Sequence, residues 1–176
     1  MKGLKNSLLM LMLVALIAAC TPAIEKDAAA IKNAEDDLYS ADSGPVDRNK
    51  VLTLVDQYVA FADNYPDDSM AVENLFKGAE LCLTLGEGQR SIDLYDRVIV
   101  DYPDFKKVPE SMFLKGYVYE NYLGDLNTAK AIYTEFLETY PDNEFADDAE
   151  ISIRNLGKSP EELIKEFEQA SQAETE

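Results

Sequence analysis

The side chains able to do chemistry in this chain are almost all carboxylates. It has 34 Asp and Glu residues and no histidine. Three adjacent pairs invite an acid–base reading: Asp36-Asp37, Asp67-Asp68 and Asp147-Asp148. Glycoside hydrolysis needs two carboxylates that converge on one bond. Neighbours on a helix instead point about 100° apart and diverge. Asp67 and Asp68 stand just before a helix start, where carboxylates cap backbone N–H groups and suit the helix dipole. The lack of histidine removes Ser-His-Asp and Cys-His activation and every His-ligated metal site. No EF-hand spacing, phosphate loop or nucleophile elbow occurs. Without histidine and with one lone internal thiol, Cys82, a zinc site lacks its ligands. The expectation is a non-enzyme with no catalytic residue, no metal and no cofactor beyond a covalent lipid.

That lipid is expected on Cys20. Lys2 and Lys5 open the chain, and the apolar run 8–19 follows. It is too short for a spanning helix, which takes about 20 residues, and fits a signal-peptide core. Ile17-Ala18-Ala19-Cys20 then resembles the lipobox of bacterial lipoproteins. The resemblance implies cleavage before Cys20 and acylation of its sulfur and new amino group, enough for stable anchoring. Thr21, where an Asp would imply inner-membrane retention, resembles the outer-membrane class. Cys82 has no disulfide partner once Cys20 is acylated. It sits in an apolar helical stretch and is expected to be a small buried hydrophobe.

Charge narrows the partners. Sixteen basic residues against 34 acidic ones give −18, and loss of Lys2 and Lys5 with the leader gives −20. Such a chain lacks the clustered cations that nucleic acid requires. It is also repelled by anionic head groups, so the membrane is reached through the lipid only.

The elements that carry these residues form a repeat. Tyr65-Pro66-Asp67, Tyr102-Pro103-Asp104 and Tyr140-Pro141-Asp142 recur at spacings of 37 and 38. A shift of 38 puts Lys77-Gly78 on Lys115-Gly116, Leu85-Gly86 on Leu123-Gly124 and Tyr95 on Tyr133. Each unit reads as two helices. In the second, Pro109 suits a first turn, Gly124 breaks the run, and Ala129, Ile132, Tyr133, Phe136, Leu137 and Tyr140 form one apolar face. Pro141 ends it. A degenerate earlier pair covers 25–40 and 48–64, joined by a turn at Ser43-Gly44-Pro45. A further helix covers 144–156. Ser159-Pro160-Glu161-Glu162 is a capping box for a last helix to about residue 170, with Leu163, Ile164 and Phe167 on its apolar side.

This pattern resembles the tetratricopeptide repeat (TPR): a small residue in the middle of the first helix, a Gly turn, then Ala and an aromatic in the second, and a closing Pro. Gly116, Tyr119, Gly124, Ala129, Tyr133 and Pro141 carry it, as do Gly78, Leu81, Gly86, Ser91, Tyr95 and Pro103. The family repeats about every 34 residues, so this form is long. Gly78, Tyr95, Gly116, Tyr119, Ala129 and Tyr133 are the expected packing positions, with Gly116 allowing close approach of the two helices. The resemblance implies an all-α, right-handed solenoid of antiparallel helix pairs with a capping C-terminal helix. The expected division is 1–19 leader, 20–24 linker, 25–66 degenerate pair, 67–103 and 104–141 full repeats, 142–157 unpaired or capping helix, and 158–176 final helix and frayed tail.

First-helix side chains line the concave, partner-binding face in that family. Carried over from Gly116, they are Glu110, Phe113, Tyr117, Glu120 and Asn121. From Gly78 they are Val72, Leu75, Ala79, Cys82 and Leu83, an apolar set whose alternative reading is cover by the preceding repeat. The first set suits a basic, partly apolar peptide or helix. Arg48, Arg90, Arg97 and Arg154 do not fall where chaperone-binding TPRs clamp a carboxylate. The chain is similar to the TPR lipoprotein of the outer-membrane barrel-assembly machine and to the Tol–Pal TPR protein. It is shorter than the former and lacks room for the coiled coil of the latter. The resemblance implies a lipid-anchored scaffold or adaptor on the periplasmic side of the outer membrane, with protein partners in the envelope. The alternatives are a self-associating structural lipoprotein and an accessory that recruits cell-wall or glycan-handling enzymes.

Overall fold

The computed structural model describes residues 22–40 and 47–173. Cys20, the leader and the Ser43-Gly44-Pro45 turn lie outside the described residues. Among those described there are eight α-helices and no strand: α1 Ala23–Tyr39, α2 Arg48–Asn64, α3 Ser69–Thr84, α4 Gly88–Asp101, α5 Val108–Val118, α6 Leu126–Thr139, α7 Ala146–Asn155 and α8 Pro160–Ala173. A π-helical turn, Tyr119–Leu123, continues α5. From α1 to α7 each helix packs mainly on its chain neighbours.

Short-range chemistry sets the ends. The Asp47, Asp68 and Asp125 carboxylates accept from the backbone N–H of Asn49, Met70 and Thr128 and so cap α2, α3 and α6. Ser159 and Glu162 form the expected capping box, the Glu162 carboxylate 2.8 Å from the Ser159 nitrogen. Tyr65, Tyr102 and Tyr140 close α2, α4 and α6 with nearly one backbone conformation, φ −135°, −132° and −131°. Each precedes a proline, which excludes the helical conformation there. Gly86, Gly124 and Gly157 end α3, the π turn and α7 with φ of 74°, 67° and 76°. Sequence reasoning found the first two; Gly157 is a third Leu-Gly break, 33 residues after Gly124 and so off the repeat spacing.

The second helix of each pair supplies a buried aromatic. Tyr58, Tyr95 and Tyr133 are all at most 1% exposed, as is Phe136. Glycine lets the paired helix close on them. A Cβ at Gly116 would stand 2.7 Å from Tyr133 Cε1, inside van der Waals contact. At Gly78 the nearest atom, Leu94 Cδ1, is 3.3 Å away. Gly88, which sequence reasoning passed over, seats the start of α4 against Tyr122 and Val118 at 3.2 and 3.3 Å.

The end of the stack departs from expectation in two ways. Helix α8 runs to Ala173, past the expected stop near residue 170. It covers little: Ile164 is 60% exposed and Leu163 only half-buried, so the expected cap is partial.

Candidate functional site

The most developed depression is a groove of about 520 Å³ between α1 and α3. Tyr58 of α2 forms its floor. Glu35, Asp36 and Tyr39 line one wall, and Lys77, Glu80, Leu81 and Thr84 the other. The geometry follows from the packing: α2 touches both α1 and α3, which leaves a furrow above it.

Glu35 is the hub. Its Oε1 accepts from the Tyr58 hydroxyl at 2.6 Å and from Lys77 Nζ at 2.8 Å. Burial pushes the Glu35 carboxyl up, but these two hydrogen bonds together outweigh it and hold it below the ordinary glutamate value. Burial, and then the bond to Glu35, raise the Tyr58 phenol well above its usual range. Glu80 is different. Burial raises its carboxyl, Lys107 partly opposes that, and Glu110 adds to it. Tyr39 stands at the rim, 68% exposed. The groove thus offers three carboxylates, one internal ammonium and two phenol rings. It can hold a cationic side chain with apolar stem; it has no paired nucleophile and base.

The residues expected on the partner face fall into two groups. Tyr117 and Asn121 are exposed on α5 and its π turn, where Tyr117 stacks obliquely on Tyr122 with ring centroids 6.2 Å apart. Asn121 Nδ2 donates to the Tyr117 carbonyl at 3.1 Å. Glu110 is half-buried and ion-pairs with Lys107 at 3.4 Å. Glu120 accepts from the Tyr133 hydroxyl at 2.9 Å, as Glu35 does from Tyr58. Phe113 is a correction. Its ring stacks on Phe145 at 5.0 Å and packs beside Tyr133 and Phe136, so it belongs to the core between α5, α6 and the start of α7.

The set carried over from Gly78 takes its alternative reading, cover by the neighbouring helices. Val72, Leu75, Ala79 and Cys82 are buried and Leu83 is half-buried. Helix α3 lies inside the stack and is covered on most sides. Its open stripe is Glu73, Lys77, Glu80 and Thr84. The signal was present: these are polar residues at helical spacing in an otherwise apolar helix. The expected packing residues Gly78, Tyr95, Gly116, Ala129 and Tyr133 are buried, and Tyr119 is half-buried. Burial pushes the Cys82 thiol up to about 11, which leaves it a thiol at neutral pH.

Three of the four arginines are spent on cohesion. Arg90 and Arg97 of α4 reach back to Asp56 and Asp63 of α2, at 2.5 and 2.8 Å. Arg48 donates to the Leu85 carbonyl at 2.8 Å and pairs with Glu87. Among the described residues there is no group of three side chains able to hold a metal ion, and no helix long and apolar enough to cross a membrane.

Comparison with known families matches residues 110–143 to the tetratricopeptide repeat, the span from mid-first-turn of α5 through the Tyr140-Pro141-Asp142 ending. Comparison with the curated proteins gave no match. The architecture is an all-α, TPR-like helical repeat solenoid. Repeats of this kind are typically non-catalytic modules that bind other proteins.

Proposed function

We propose that this chain is a non-catalytic protein-interaction scaffold of the bacterial cell envelope, with the α1–α3 groove and the open side of α5 as its partner surface. The observation that carries the reading is the groove itself: a furrow of about 520 Å³ whose walls are the first helices of successive pairs. Its excess of carboxylates favours a basic partner segment, and Tyr39, Tyr58 and Leu81 favour one with apolar parts. The envelope assignment rests on the N-terminal residues: Lys2, Lys5, the apolar run and Ile17-Ala18-Ala19-Cys20. A lipid on Cys20 would hold the chain at the outer membrane, facing the periplasm. A role in outer-membrane assembly follows from the resemblance to the barrel-assembly and Tol–Pal TPR proteins.

In-cell crosslinking, capture and mass spectrometry test this. The control is Gly116→Trp, which drives an indole into Tyr133 and should open the second full repeat. Enrichment of envelope assembly proteins by the wild type alone supports the scaffold. Equal capture by both chains would sink the partner-surface assignment. Intact mass of the captured chain tests the anchor separately: acyl mass on Cys20 supports it, and an unmodified amino terminus removes it.

The exposure of Ile151 (44%) and Ile164 (60%) near the C-terminal end favours one second reading, self-association through that end. It requires a concentration-dependent mass by light scattering that Ile164→Glu abolishes.

A further inference from the structure

Each of the first three pairs buries an aromatic of its second helix: Tyr58, Tyr95 and Tyr133. The sequence holds a fourth unit of the same kind. A shift of 33 puts Gly116 on Ala149 and Leu123-Gly124 on Leu156-Gly157. A shift of 34 then puts the cap Asp125 on the cap Ser159, Ala129 on Leu163 and Tyr133 on Phe167. Helix α7 thus carries the pattern of a first helix, and α8 that of its second.

The structure does not pair them. Among the described residues, the last core cluster, around Ala129, Tyr133, Phe136 and Ala149, ends at α7 and takes no side chain from α8. Helix α8 does not lie along α7. The turn between them gives the reason. One residue separates Gly86 from α4 and Gly124 from α6, whereas two, Lys158 and Ser159, separate Gly157 from α8. Pro160 holds Ser159 out of the helical conformation, and Lys158 is tied to Glu166 of α8 at 2.6 Å. The added residue leads α8 away from its own α7.

Both helices are left with open surface. Ile151 of α7 and Ile164 of α8 are exposed, and so are Tyr122, Leu123 and Leu126 at the same end of the stack. Leu126 adjoins the turn, 3.3 Å from a Cβ built at Gly157. Arg154, in the last turn of α7, is the one arginine without an ion pair among the described residues. Glu161, in the first turn of α8, has no ion pair among them either. Antiparallel packing of such a helix on α7 sets its first turn against the last turn of α7, and so sets that carboxylate beside that guanidinium.

Developing the self-association reading above, on which it rests, we propose that α8 of a second copy of this chain docks along α7 as its second helix, and that the exchange is reciprocal. The docking helix must follow a capped start with large apolar side chains four residues apart, and α8 has Leu163 and Phe167 at those places. Each copy carries one uncovered α7 and one α8, so two copies close about a two-fold axis.

The test uses the full chain in detergent, with benzoylphenylalanine in place of Phe167. Unlabelled chains are mixed with heavy-nitrogen chains, irradiated and read by mass spectrometry. Crosslinks should join α8 of one isotope to α7 of the other, near Ala149. Leu163→Glu should remove both the crosslink and the dimer mass in sedimentation, while the chain stays helical by circular dichroism. Arg154→Glu and Glu161→Arg should each weaken the dimer. When those two variant chains are mixed they should pair with each other in preference to themselves, because both contacts of the mixed pair then join opposite charges. Single-isotope crosslinks alone would mean that α8 folds back on its own α7, and would overturn the proposal. Mixed-isotope crosslinks that fall away from α7 would overturn the exchange and leave self-association standing. A monomer at every concentration from about 1 to about 100 μM would remove both. The partner groove is tested separately, by the capture experiment.

Discussion

At the scale of single residues, two glycines with the same sequence context differ in what they do. Both follow a lysine and both face a neighbouring helix. A methyl at Gly116 meets the buried Tyr133 ring at 2.7 Å, and a rigid ring inside a packed core cannot yield cheaply. A methyl at Gly78 meets the tip of Leu94 at 3.3 Å, and alanine also gains about 1 kcal/mol over glycine within a helix. Gly116→Ala should therefore lose about 1–3 kcal/mol of stability, while Gly78→Ala should be neutral or stabilising, as urea unfolding would measure. Equal effects would mean that close approach at Gly116 is not what selects the residue. Glu35 and Glu80 carry a second residue-scale expectation, of opposite sign. Glu35 is held below its ordinary value of 4.5, so its stabilisation is complete above that pH and is lost as the pH falls through its lowered folded value. Glu80 is raised by burial, so ionising it opposes folding as the pH rises past the same ordinary value. Thermal unfolding across acid pH should show Glu35→Gln flattening the acid-side loss and Glu80→Gln stabilising the chain at neutral pH.

At the scale of elements, punctuation carried most of what the sequence revealed. Tyr-Pro-Asp fixes the end of every second helix through the geometry that proline imposes on the residue before it. Leu-Gly ends the first helices through a left-handed turn, and nothing lies within 4 Å of a Cβ built at Gly86 or Gly124. Substituting alanine at either should cost about 1 kcal/mol from backbone conformation alone. At Gly157 the cost should be greater, because Leu126 Cδ1 also stands 3.3 Å away. What stayed hidden has physical causes. The third turn, at Gly157, is off the repeat spacing because α7 is shorter than α3. The exposed stripe of α3 was missed because a helix covered on most sides is apolar nearly all round, so periodicity marks that stripe only by the few charges left on it. Phe113 was misassigned because a position that lines a groove in an ideal repeat is here filled by Phe145 from the next loop. The π turn at Tyr119–Leu123, which exposes Tyr122 and Leu123, has no sequence signature comparable to proline or glycine.

At the scale of the whole molecule, charge and connectivity dominate. A net charge of −18 on 176 residues opposes compaction, and the ion pairs from Arg90, Arg97 and Lys115 offset only part of it locally. Screening should help more than it harms: the melting temperature should rise by a few degrees between about 20 mM and about 500 mM NaCl. A fall would mean that the inter-helix ion pairs outweigh the general repulsion. Connectivity has a mechanical consequence. From α1 to α7 the packing runs mainly between chain neighbours, and ion pairs such as Arg90–Asp56 and Arg97–Asp63 are among the longer links. A tether pulling on both ends would thus meet no single clasp. It would peel the stack from an open end, helix after helix, each giving way at modest force and re-forming on release. Stretched between an anchor and a partner, the molecule would extend as a compliant spring, and its length would report the load upon it.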